Sequence, residues 1–87
     1  KACNNRGIVY YKLGLYQQAI VDYSQAIRLN PAYAEAYHNR SVAYLEQNIR
    51  DLGCRDAQKA CDLGNCELLT KAQNKGICNL AKGGILK

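Results

Sequence analysis

Residues 1–33 read KACNNRGIVYYKLGLYQQAIVDYSQAIRLNPAY, and residues 34–65 read AEAYHNRSVAYLEQNIRDLGCRDAQKACDLGN. Laid over one another at an interval of 34, they place Ala2 on Ala36, Asn5 on Asn39, Arg6 on Arg40 and Tyr10 on Tyr44. Asp22 falls on Asp56, Ala26 on Ala60 and Leu29 on Leu63, with no insertion anywhere between them. A gap-free period of this length marks a solenoid, whose units bury their apolar faces only by stacking on one another. Such an architecture presents a surface for binding rather than an enclosed catalytic pocket.

Within each unit the apolar spacing is helical. Residues 2–13 place Cys3, Gly7, Val9, Tyr10 and Leu13 at three- and four-residue intervals, and Gly14 permits a tight reversal. Residues 16–29 resume the pattern until Asn30-Pro31, where the residue before proline leaves helical geometry. The second unit predicts helices over 34–47 and 50–63, with Asn48 in the place of Gly14 and Gly64-Asn65 as the stop. A fifth helix is expected over 66–74, its Leu68, Leu69 and Ala72 covering the face left open by the second unit. After Gly76 a bent continuation is expected to pack through Cys78 and Leu80. The expected fold is all-α: an α-solenoid of two antiparallel helix-turn-helix repeats, residues 1–33 and 34–65, plus a capping helix and C-terminal tail over 66–87.

Eighty-seven residues make one small domain. The chain opens on Lys1, inside a helical pattern, and is expected to be a segment of a longer repeat protein. Its net charge of +5 is unevenly spread: +3 over residues 1–33, −1 over 34–65 and +3 over 66–87. Basic ends suit an acidic partner, and solvated Lys and Arg on outer helix faces are the plainer reading. Nucleic acid is not expected, because no compact basic run carries interleaved stacking aromatics. No stretch reaches the roughly 18 apolar residues of a membrane span.

The first unit resembles the tetratricopeptide repeat, and the resemblance extends over residues 1–65 with 66–75 similar to the family's capping helix. Gly7 and Ala19 match the small residues at which a repeat's two helices touch. Tyr10 and Tyr23 fill the wedge between them, Ala26 meets the next unit, Pro31 closes the repeat, and Gly14-Leu15-Tyr16 forms the turn. In the second unit Ser41, Gly53 and Ala60 keep the small contacts, but Ala57 replaces the ring of Tyr23, leaving a void unless a neighbour fills it. An atypical unit of this kind is expected at the C-terminal end of an array.

The family holds peptides in a concave groove lined by the first helix of each unit. The resemblance therefore implies a groove of Asn4, Asn5, Ile8, Tyr11 and Lys12, then His38, Asn39, Val42, Leu45 and Glu46. Asn5 and Asn39 recur on one face, where a carboxamide can bond an extended peptide backbone; local capping or solvation is the alternative. One subset of the family grips terminal carboxylates of chaperone tails, and Tyr37-His38-Asn39-Arg40-Ser41 is similar to its second unit. The remaining basic and polar places of that subset are filled by Asn4, Ile8, Leu69 and Gln73, so the clamp is not expected.

Four of five cysteines crowd into residues 54–78. Three readings stay open: buried free thiols acting as small core residues, structural disulfides, and a tetrathiolate metal site, which the absence of a Cys-x-x-Cys knuckle disfavours. In the family's arrangement the face carrying Cys54 and Cys61 meets the antiparallel cap, which implies the pairs Cys54–Cys78 and Cys61–Cys66 with Cys3 free. For the first pair the chain must break at Gly76 to turn Cys78 inward. Lys59-Ala60-Cys61-Asp62-Leu63 is similar to the related Sel1-like repeats, in which cysteines staple helices. Free thiols would place the chain in the cytoplasm, and disulfides in the periplasm or another extracytoplasmic space.

His38 is the single histidine, and no run resembles a nucleophile motif. The carboxylates, Asp22 and Asp56 among them, are expected on outer faces or at turns. The reading is a non-catalytic interaction module without cofactor or metal, binding a protein or peptide segment. The alternative is a structural end-cap of a longer array, stapled by disulfides, with the binding surface elsewhere.

Overall fold

A computed structural model of the chain describes residues 2–78, so the packing expected of Leu80 lies outside the described residues. These residues form five helices and no strand: α1 (Ala2–Lys12), α2 (Tyr16–Leu29), α3 (Ala34–Glu46), α4 (Arg50–Asp62) and α5 (Glu67–Asn74). Helices α1 and α2 pair as one hairpin and α3 and α4 as another; α2 packs on α3, and α5 closes against α4. The result is an elongated all-α solenoid of 40 × 25 × 16 Å.

The turns follow from backbone chemistry. Gly14 and Asn48 take positive φ at equivalent places, +79° and +62°, and Asn is among the few non-glycine residues that tolerate this. Inside the first hairpin the backbones approach at Gly7. A Cβ added there would lie 2.6 Å from Cε1 of Tyr23 and 3.2 Å from the Ala19 carbonyl oxygen. Tyr23 is buried against this gap, and with Ala19, Ile20 and Ala43 it forms the first core, flanked by Ile8, Tyr10, Tyr11 and Tyr44. Burial pushes its hydroxyl up to about 12.

The second hairpin uses another solution. Leu45 presses on Gly53, where a Cβ would lie 2.6 Å from its Cδ2, and the Ser41 hydroxyl donates to the Gly53 carbonyl at 2.5 Å. The space that Ala57 leaves is filled from outside the hairpin. Leu69, Ala72 and Cys78 cluster on Ala57, with Cys54, Cys61, Leu68 and Ile77 around them.

Disulfides join Cys54 to Cys78 and Cys61 to Cys66, while Cys3 is free. Gly76, at φ +74°, makes the break that turns Cys78 inward, where it is 3% exposed. The free-thiol and tetrathiolate readings of these four cysteines give way to paired sulfurs.

One expectation is corrected. Asp22 and Asp56 do not lie on outer faces: they are 3% and 4% exposed. Each accepts a fork of two hydrogen bonds from the arginine 16 positions before it. Arg6 donates to Asp22 at 2.8 Å twice, and Arg40 to Asp56 at 2.7 and 2.9 Å. The bidentate match between guanidinium and carboxylate offsets the desolvation that would otherwise keep an aspartate in water. Arg40 is accordingly no solvated surface cation either; its side chain is 20% exposed.

Candidate functional site

Helices α1 and α3 lie side by side on one face of the solenoid, with α5 beyond them. Between α1 and α3 opens a cleft of about 270 Å³ lined by Ile8, Tyr11, Lys12, His38, Asn39 and Val42, with Tyr23 from α2 at its floor. A second cleft of about 290 Å³ shares Val42 and continues over Leu45 and Glu46 to Leu68, Lys75 and Ile77. Eight of the ten residues assigned to the groove by sequence line one cleft or the other.

Asn4 and Asn5 do not. Asn4 is 1% exposed, held beneath the surface where α1 meets α3, and its Oδ1 accepts a hydrogen bond from Asn39 Nδ2 at 3.0 Å. That bond fixes the Asn39 carboxamide, whose Oδ1 remains an acceptor without a partner among the described residues. Asn5 is exposed and lines neither cleft.

The remaining polar groups are set by their neighbours. The Tyr11 hydroxyl donates to Glu46 at 3.1 Å, tying α1 to α3 across the cleft rim. Partial burial, and then the bond to Glu46, raises that hydroxyl above its ordinary value of 10. His38 Nδ1 is buried and meets no hydrogen-bond partner among the described residues. Lys12 and Lys75 take part in no ion pair among the described residues. The clefts therefore combine apolar walls with a few uncommitted donors and acceptors, as ligand sites do.

Sequence reasoning missed Tyr23 as a floor residue and Leu68, Lys75 and Ile77 as the far wall. The last two lie beyond the end of α5, and their path depends on the turn at Gly76 and the anchoring of Cys78.

Residues 1–33 match the family model of the tetratricopeptide repeat. The chain belongs to the tetratricopeptide-repeat family. It is similar to serine/threonine-protein phosphatase 5 of Homo sapiens, 46% identical over 54 residues, or 62% of this chain and 11% of that protein. It is also similar to the Hsp70-Hsp90 organizing protein of Triticum aestivum, 36% identical over 58 residues, covering 67% of this chain and 10% of the relative. Hsp70-Hsp90 organizing protein 3 of Arabidopsis thaliana is 34% identical over the same length. The chain spans about a tenth of the length of the curated relatives it matches. What these tetratricopeptide segments have in common is a protein-interaction module. The phosphatase activity and the chaperone names describe the relatives as whole proteins.

Proposed function

We propose that this tetratricopeptide segment, organised as units 1–33 and 34–65 with a cap over 66–87, binds an extended peptide of a protein partner in the cleft between α1 and α3. The observation that carries the reading is the cleft itself. Ile8 and Val42 offer apolar walls, and Asn39 is pre-set by Asn4 to accept a backbone N–H. The unpartnered His38 Nδ1 adds a polar atom whose burial is offset only when a ligand or water bonds it. No catalytic step is assigned to the segment.

The test is selection from a displayed peptide library, followed by affinity measurement on the selected peptide. Ile8→Ala with Val42→Ala removes apolar wall from both helices and should weaken binding by about tenfold or more. Equal affinity, with helicity retained, would reject the groove.

An end-cap role in a longer array has its own support, which is compatible with binding. Two disulfides staple α4 to the residues flanking α5, while α1 leaves Val9 and Leu13 at 56% and 66% exposure. In the 34-residue register Val9 stands where Ala43 is fully buried by α2, and Ala2 where Ala36 is. That side of α1 is shaped for a further unit of the same kind.

A further inference from the structure

The groove does not end on α3. Its second cleft is walled by Leu68, Lys75 and Ile77, and Ile77 is held there by unusual means. Helix α5 stops at Asn74. Past Gly76, the Ile77 and Cys78 amides both donate to one carbonyl, that of Ala72, at 2.8 and 3.2 Å. The only covalent tie from this turn to another element is Cys54–Cys78. The cap itself packs on α4 through Leu69 and Ala72 against Ala57, and beyond Gly76 through Cys78.

From this placement we infer that the Cys54–Cys78 disulfide is a redox-addressed latch on the binding groove: oxidised, it completes the second cleft, and reduced, it releases Ile77 and opens that wall. The inference rests on the peptide-binding reading above and adds to it the occupant of the second cleft. Lys12 in the first cleft and Lys75 in the second are cations without ion-pair partners among the described residues, and the single carboxylate between them, Glu46, is engaged by Tyr11. The occupant that fits is an extended peptide with apolar side chains flanked by acidic ones.

The latch is open to chemistry from one side. Cys54 is half-buried and lines a polar hollow of about 460 Å³ with Arg50, Asp51, Gly76 and Ile77, whereas Cys78 is 3% exposed. A thiolate of a dithiol reductant attacks the Cys54 sulfur from this hollow. The bond to Cys78 breaks, Cys78 leaves as thiolate and takes a proton. The reductant's second thiol then displaces Cys54 as a thiol and closes its own disulfide, so two electrons and two protons pass to the cystine. Cys61–Cys66 ties the start of α5, lines neither cleft, and serves as the control.

The experiment uses the full chain and a fluorescein-labelled, end-blocked decapeptide of alternating leucine and glutamate, read by anisotropy. The oxidised chain should bind it, and Cys54→Ser with Cys78→Ser, or a dithiol reductant, should weaken binding by about tenfold or more. Cys61→Ser with Cys66→Ser should change it by less than about twofold, since neither cysteine lines a cleft and Ile77 stays anchored through Cys78. Lys75→Glu, which leaves both disulfides in place, should weaken the glutamate peptide and spare a glutamine counterpart. Independently of any ligand, hydrogen exchange over residues 67–78 should rise by about 30- to 100-fold in the Cys54/Cys78 variant, with α1 to α3 unchanged. Equal affinity with and without the Cys54–Cys78 bond, or unchanged exchange, overturns the latch. Failure of the decapeptide to bind the oxidised chain overturns the acidic–apolar occupant. If affinity instead ignores Ile8→Ala with Val42→Ala, it is the groove reading that falls.

Discussion

Arg40 illustrates how single side chains carry this small solenoid. Its guanidinium forks onto Asp56, donates to Ser24 Oγ at 3.0 Å, and lies 5.7 and 5.9 Å from the ring centres of Tyr37 and Tyr44. It thereby ties three helices, α2, α3 and α4, at one point. Its first-unit counterpart Arg6 makes the same fork to Asp22, but its side chain is 65% exposed. The two pairs should therefore respond differently to loss of the acid. Asp56→Ala strands a largely buried cation and is expected to cost about 2–4 kcal/mol in urea unfolding, whereas Asp22→Ala leaves Arg6 free to solvate and should cost about 1 kcal/mol. The hydrogen bonds from Arg6 hold the Asp22 carboxyl below its ordinary value of 3.8. A depressed folded-state value means stability that is present above the unfolded value and lost as pH falls through the lowered one. The urea midpoint should thus decline as pH drops below about 4, with a shallower slope in Asp22→Asn. The coincidence of Arg6 with Arg40 and Asp22 with Asp56 is plain in the 34-residue register. Charge alone nevertheless reads as surface, because burial depends on a partner 16 residues away that only the folded hairpin supplies.

At the scale of elements, each hairpin closes on a small residue, and the two differ in what presses on it. Gly7 faces the ring of Tyr23, itself 1% exposed and without room to retreat. Gly7→Ala gains helix propensity yet drives a methyl into that ring, so a net loss of about 1–3 kcal/mol is expected in thermal or urea unfolding. The helices, their turns and the small-residue contacts were legible in the sequence, since period, Gly14, Asn48 and Pro31 act locally. What fills the space over Ala57 was legible too, since Leu69, Ala72 and an inward-turned Cys78 are the contacts expected of the cap, whereas Lys75 and Ile77 as a cleft wall were not, because their direction depends on the turn at Gly76 rather than on a local period. The disulfide pairing followed from the family's helix order, and its consequence is that the cap depends on cross-links as much as on packing. Reduction of both bridges should lower the melting temperature and release α5 first, seen as early loss of protection over 67–78 while α1 to α4 still melt together. Thiol counting on protein isolated under denaturing, non-reducing conditions should find the single free thiol of Cys3, the outcome that bridges formed under oxidising conditions predict.

On the scale of the whole molecule, two hairpins and a cap line up the inner helices α1 and α3 so that residues 30 or more positions apart share one cleft. The family resemblance assigned ten residues to a groove, and eight of them line the clefts. The two asparagines of α1 do not: Asn5, equivalent to Asn39, stays outside, and Asn4 takes the buried bond, because Asn39 reaches back 35 residues to α1 rather than 34. That exchange makes Asn39 a fixed acceptor, and with Ile8, His38 and Val42 it forms the surface on which a partner peptide is proposed to lie. The most direct measurement is an amide and methyl chemical-shift titration of the oxidised chain with a library-selected peptide. Shifts centred on Ile8, Tyr11, His38, Asn39 and Val42, extending to Leu68 and Ile77, are the predicted result. Shifts confined to the outer faces of α2 and α4, with the α1–α3 cleft silent, would contradict it.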